Sequence, residues 1–146
     1  MKALIQVVEE AEVMVEKESE GSINYGMLIF LGVKKGDEAK DVDDLVESIL
    51  NLRIFPDEDG KMNLSIDEVE GEVLIVSQFT LYGQLTSGRR PNFSMAADYD
   101  KSKKLYREFV NRTKEKHPYR VESGKFGSYM KVDLTNDGPV TFTLES

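Results

Sequence analysis

Two short polar segments stand out as places where chemistry could be done. Ser77-Gln78-Phe79-Thr80-Leu81 follows the apolar run Val73-Leu74-Ile75-Val76, so two hydroxyls and an amide leave the end of a buried strand. Asn136-Asp137-Gly138-Pro139-Val140-Thr141 lies between two strand-like stretches near the C-terminus. Each has an ordinary structural reading. Ser and Thr at a strand end satisfy loose backbone groups, Asp-Gly-Pro is a turn signal, and proline after glycine permits a cis peptide. Their weight comes from the lack of other machinery. The chain has no cysteine and one histidine, which removes thiol nucleophiles and zinc sites of ordinary composition. That histidine, His117, sits in Lys114-Glu115-Lys116-His117-Pro118 at the end of an amphipathic stretch, where a cation suits the helix dipole. No Ser-centred elbow accompanies it, so a Ser-His-Asp machine is not expected. The carboxylates lie mostly in runs such as Glu9-Glu10 and Asp41 to Asp44, which read as solvated faces. Asp57-Glu58-Asp59-Gly60 lacks the ligand spacing and closing glutamate of a calcium loop and reads as a turn. With no Walker A or GxGxxG pattern either, neither a metal nor a cofactor is expected.

The elements that position these segments follow from periodicity. Ala3 to Val8 and Glu12 to Val15 read as short strands, and Met27 to Val33 as a strand buried on both faces. A helix with Asp37 as N-cap carries Val42, Leu45, Val46, Ile49 and Leu52 on one stripe. The apolar run Val73 to Val76 is a second buried strand. A second helix over about Ala97 to Lys116 turns Ser102, Leu105, Tyr106, Phe109, Val110 and Thr113 inward. Met130, Val132 and Leu134 alternate with Lys131 and Asp133, and a last strand follows the turn at Asn136 to Pro139. Strands in runs with two segregated helices predict an α+β fold rather than βαβ winding.

A chain of 146 residues with 40% hydrophobic and 32% charged residues predicts one globular domain spanning 1–146. The longest apolar run, Met27 to Leu31, is far shorter than the roughly twenty residues a bilayer requires. No signal-peptide pattern opens the sequence, and with no cysteine the expectation is a cytoplasmic protein with no membrane contact. The net charge of −8 argues against coating nucleic acid along its length. The charge is uneven, however. Residues 84–125 hold eleven Lys and Arg against five acids, a +6 segment on a remainder of −14. That segment is either a solvated helix face or a docking surface for a phosphate backbone.

Together the two polar segments resemble the D-aminoacyl-tRNA deacylase (D-tyrosyl-tRNA(Tyr) deacylase) family. Ser77-Gln78-Phe79-Thr80-Leu81 matches its SQFTL signature and Asn136 to Thr141 its NxGPVT signature, each at every required position. Similarity extends through Ala3-Leu4-Ile5-Gln6, Phe30 to Val33, Arg53-Ile54-Phe55, Gly60 to Asn63 and Arg90 to Ser94. The resemblance implies an α+β domain with a curved, barrel-like, antiparallel-rich sheet and two helices. It implies a homodimer with active sites at the interface, each joining Ser77, Gln78, Phe79 and Thr80 of one chain to a cis Gly138-Pro139 element of the other. The substrate is then the tRNA acceptor end carrying a D-amino acid, with Phe126 and Met130 against the terminal adenosine. Met130 also has a plain core reading, through its phase with Val132 and Leu134.

Under that resemblance, an L-amino acid would drive its side chain into fixed carbonyl oxygens of Gly138-Pro139, whereas a D-residue directs it outward. Glycine, having no side chain, escapes the filter and is an expected second substrate. Since no base is evident, the substrate's ribose 2′-hydroxyl is expected to help activate water. Backbone N–H groups around Phe79 and Thr80 would stabilise the oxyanion, with Ser77 and Gln78 orienting the ester. Thr80 as nucleophile is the alternative, and it needs a base that the sequence does not supply. One position departs from the family: Val7 stands where Arg commonly helps to hold the Gly-Pro element. Two other function classes stay open, a non-enzymatic tRNA-binding module using the basic helix and an esterase of small D-aminoacyl esters.

Overall fold

A computed structural model describes residues 1–85 and 88–146. Its longest strands are β1 (Lys2–Val15) and β8 (Lys131–Glu145), antiparallel partners along nearly their whole length. The other edge of β1 is shared by β3 (Gly26–Gly32) along its first half and β2 (Glu18–Ile23) along its second. β6 (Glu72–Ser77) adds parallel to β3, and β7 (Val121–Ser123) parallel to β6. The sheet curls until β2 approaches β7: a Cβ on Gly21 would lie 3.2 Å from Glu122 Cβ. Helices α1 (Ala39–Leu50) and α2 (Tyr99–Lys116) pack on the sheet, and β4 (Phe55–Pro56) with β5 (Met62–Leu64) forms a small hairpin.

Both faces of β3 and β6 are covered, as their unbroken apolar sequence requires. Met27, Ile29, Val73 and Ile75 pack toward the helices with Val42, Leu45, Ile49, Leu105 and Phe109. Leu28, Leu74 and Val76 point into the curl, against Val8, Val13, Ile23 and the partly buried Met130, Val132 and Leu134. β1 changes face along its length. Ala3, Ile5 and Val7 join the helix-side cluster, while Val8, Ala11 and Val13 join the other. Alternation would place 11 and 13 with 7; the register against β8 shifts between Val8 and Glu10, and that bulge resets the phase.

The α+β class and the curved sheet agree with expectation, but several elements differ. The two short strands predicted over 3–15 form one strand, bent rather than broken at exposed Glu9-Glu10. The predicted break at Asn136 to Pro139 likewise lies inside β8. β3–α1–β6 and β6–α2–β7 are parallel crossovers, so the sheet is mixed rather than free of βαβ winding. The N-cap of α1 is Glu38, not Asp37, with the Asp41 carboxylate accepting from the Glu38 N–H at 2.8 Å. Asp37 is buried instead, 2.9 Å from the Met1 amino group and accepting from the Lys34 N–H at 2.7 Å. The Asp57 turn has the expected local character: its Oδ1 accepts from the N–H groups of Asp59 and Lys61. No helix among the described residues is long and apolar enough to cross a membrane.

Candidate active site

β6 ends at Ser77, and the ladder runs one bond further, with the Gln78 N–H donating to Leu31 O at 2.8 Å. The chain then tightens into a 3-10 turn, Phe79–Tyr82, closed by the Gly83 N–H on Thr80 O at 2.9 Å. The first N–H groups of such a turn have no internal acceptor. Those of Phe79 and Thr80 find none among the described residues, so two successive backbone donors are left unpaired. The Gln78 amide donates to Thr80 Oγ1, which ties the signature's two long polar groups together. Phe79 is exposed, its ring edge-on to Phe93 at 4.9 Å.

Beside this turn opens a mainly apolar cavity of about 610 Å³, lined by Ser77, Gln78, Phe79, Phe126 and Met130. Five of the residues singled out in sequence are thus brought together. Thr80 is exposed and outside the lining. Gly138 and Pro139 are exposed and do not line the cavity of their own chain. α2 supplies walls that sequence reasoning did not assign to a site, Tyr99, Ser102 and Tyr106. Tyr99 and Tyr106, seven residues apart on one helix face, were the available signal. Phe126 lies 5.4 Å from both rings, and Gly127 (φ +78°) lets the loop close on Tyr99, whose Oη lies 3.0 Å from where a Cβ would stand. The Tyr106 hydroxyl donates to Ile75 O at 2.8 Å, and burial pushes its pKa well above the usual tyrosine value. It is a committed neutral donor.

No Asp, Glu, His, Lys or Arg contributes to that lining among the described residues. His117 is the C-cap of α2, as its position in sequence suggested, with its N–H on Thr113 O at 2.9 Å. Its buried ring bridges Asp67 Oδ1 (2.5 Å) and Gly71 O (2.9 Å), which fastens α2 to the loop before β6. His117→Ala is therefore expected to lower stability by about 1–3 kcal/mol, leaving buried polar groups unpaired, with kcat unchanged. Chemical denaturation alongside a kinetic assay checks it, and a kcat loss in a folded variant would contradict it.

The second segment is built on the edge of the sheet. Gln6 pairs with Thr141 and Val8 with Asn136, so Val7 alone faces residues 137–140, which bulge outward. The Asn136 side chain closes that bulge: its Oδ1 accepts from the Val140 N–H at 2.9 Å and its amide donates to Val140 O at 3.1 Å. Gln6 Nε2 donates to Thr141 Oγ1 at 3.1 Å. Val7 is 1% exposed and belongs to the helix-side core. The peptide Gly138–Pro139 is cis.

A curled α+β domain with a mainly apolar cavity at the end of β6, whose lining carries no charged side chain among the described residues, defines a class. The chain belongs to the D-Tyr-tRNA(Tyr) deacylase family, whose model matches residues 4–145. A D-aminoacyl-tRNA deacylase of Thermosipho africanus is 54% identical over 146 residues, covering 100% of this chain and 97% of the relative. Among solved structures, one described as c-Myc DNA Unwinding Element Binding Protein is 38% identical with a TM-score of 0.95, covering 100% and 99% of the two chains. A probable eukaryotic D-amino acid tRNA deacylase shares the fold at 18% identity and a TM-score of 0.83, covering 99% and 98%.

Proposed function

We propose that this chain is a D-aminoacyl-tRNA deacylase, which hydrolyses the ester between a D-amino acid and the terminal ribose of tRNA. One observation carries the reading: Ser77, Gln78 and Phe79 share a cavity with Phe126 and Met130, and among the described residues its lining supplies no carboxylate, imidazole or amine. The apolar walls suit an adenine ring against Phe126 and Met130. The unpaired N–H groups of Phe79 and Thr80 suit a developing oxyanion. Ser77 and Gln78 orient the ester, and Thr80, its hydroxyl engaged by the Gln78 amide, has no hydrogen-bonded base among the described residues to make it a nucleophile. The remaining step, activation of water, falls to the substrate's 2′-hydroxyl. A cytoplasmic location accompanies this reading, since charged tRNA is used there.

The site is complete only in a homodimer, with Gly138-Pro139 of the partner subunit closing it as a steric filter against L-residues. The exposed outer edge of β8 supports this. None of its fifteen residues is buried, Phe142 is 39% exposed, and its hydrogen-bonded partner among the described residues lies on one side only. A long uncovered edge strand invites pairing with a second chain. Sedimentation should give a dimer, and Phe142→Asp should shift it toward monomer with loss of deacylation. A monomer of full activity would exclude the shared site.

The decisive assay times amino acid release from matched D-tyrosyl-, L-tyrosyl- and glycyl-tRNA. Release from the D and glycyl substrates with the L substrate spared is expected. No release from any of them would remove the enzymatic reading. Salt-dependent RNA binding without hydrolysis would then favour a binding module.

A further inference from the structure

A second groove adjoins the cavity on its α2 side. Tyr106 and Phe126 are also walls of this groove, of about 560 Å³, which runs on past Lys103, Arg107 and Lys125. Lys103 stands at the junction, its Nζ 5.5 Å from the centre of the Tyr99 ring, and Tyr99 lines the cavity. Two of the three basic residues further along α2 are matched, and the third, Lys114, lines neither the cavity nor this groove. Arg112 is bonded to Asp43 and Glu115, and Lys116 to Glu47. Lys103 and Arg107 have no ion-pair partner among the described residues, and Lys125 meets only Glu20, at 3.4 Å. Asp100 and Glu108 flank this stretch of helix but leave the cations unbridged.

The opposite rim offers Lys17 and Lys131 around the exposed Tyr129, with Glu16 beside them. Glu10, Glu12 and Asp133 crowd the same sheet edge, within the part of the sequence that carries −14. Both rims carry lysines, but the α2-side groove is lined by Lys103, Arg107 and Lys125 with no acid among the described residues. Acids accumulate beside Arg120 beyond the sheet-side rim, so a polyanion finds the more continuous cationic surface along α2. We propose that the single-stranded acceptor end leaves the cavity over the rim formed by Tyr99 and Phe126 and follows the groove between α2 and residues 123–126, with Lys103 and Arg107 holding the phosphodiesters on the 5′ side of the terminal adenosine. The assignment rests on the deacylase reading for the occupant of the cavity, and it narrows the basic segment to the first half of one helix.

The test uses the double variant Lys103→Glu/Arg107→Glu with two substrates, D-tyrosyl-tRNA and D-tyrosyl-adenosine, which carries the ester but no phosphate. For the tRNA, KM should rise about tenfold or more. The slope of log KM against log salt should flatten by about 1.4, since each single-strand phosphate contact contributes roughly 0.7. Hydrolysis of the nucleoside ester should be unchanged, which also reports that the fold and cavity are intact. Lys17→Glu/Lys131→Glu should alter neither substrate. An unchanged KM for tRNA, an equal loss on both substrates, or a loss confined to the Lys17 and Lys131 variant would each overturn the assignment. Hydrolysis of neither ester by the unaltered protein would instead remove the deacylase reading. Salt-dependent binding of an uncharged RNA hairpin ending in CCA then still decides the groove, by whether the Lys103 and Arg107 variant loses it.

Discussion

D-tyrosyl-tRNA that ends in 2′-deoxyadenosine is expected to be hydrolysed about 10²- to 10⁴-fold more slowly than the ribose form, the range a positioned acid–base group contributes. A water molecule attacking an ester must lose a proton, and among the described residues none of the cavity's lining side chains is a carboxylate, imidazole or amine. Tyr106 cannot substitute, since burial holds it in its neutral form and its hydroxyl is committed to Ile75 O. In the proposed mechanism the neighbouring ribose 2′-hydroxyl, carried in with the substrate, takes the proton of the attacking water while passing its own to the departing ribose oxygen. Binding should be little changed, so the loss should appear in kcat rather than KM. Unchanged hydrolysis would require a base in the protein and would reopen Thr80 as nucleophile. The companion variant, Thr80→Val, should therefore retain measurable turnover, since it removes a hydroxyl while leaving the Thr80 N–H in place. Complete loss in a folded protein would count against positioning.

The first signature was legible because its surroundings dictate it. A continuous apolar strand that ends in Ser77-Gln78-Phe79-Thr80 must surface there, and only the tightness of the following 3-10 turn went unread. The walls from α2 were legible in part: Tyr106 and Ser102 were assigned inward by helical phase, but inward proved to include a cavity. Hydrophobic phase reports burial and does not separate core from pocket lining. The second signature was read as a turn between strands and is instead a bulge within one strand. Local sequence marks where the ladder is interrupted, whereas its continuation on both sides is fixed by the long pairing with β1. Asp37 shows the same limit. It has the residue type of an N-cap, yet pairing with the Met1 amino group, from the far end of the first strand, takes it into the interior. The parallel crossovers depend on strand order, which periodicity does not encode.

Gly138→Ala is expected to lower the ratio of D- to L-tyrosyl-tRNA hydrolysis by about 10²-fold, the scale on which misplacing a positioning element by about 1 Å acts. At Gly138, φ is +137°, a conformation essentially confined to glycine. An added Cβ would also fall 2.5 Å from Val140 Cγ2 and 2.7 Å from Val140 N. Val140 N is the donor to Asn136 Oδ1, so relieving the clash pulls on the bond that closes the bulge. Gly138 and Pro139 are exposed on an edge strand, so the fold should survive and the change should register in selectivity. An unaltered D-to-L ratio would remove the filter from the mechanism. Mixing subunits then asks which chain supplies it. A Gly138→Ala chain keeps an intact cavity, and a Phe126→Asp chain, which should be inactive by itself, keeps an intact Gly138-Pro139 element. If each site joins the cavity of one chain to the filter of the other, the mixed dimer contains one fully normal site and recovers D-selective hydrolysis. If the filter acts on its own chain's cavity, the only active site in the mixture carries the altered glycine, and selectivity does not return.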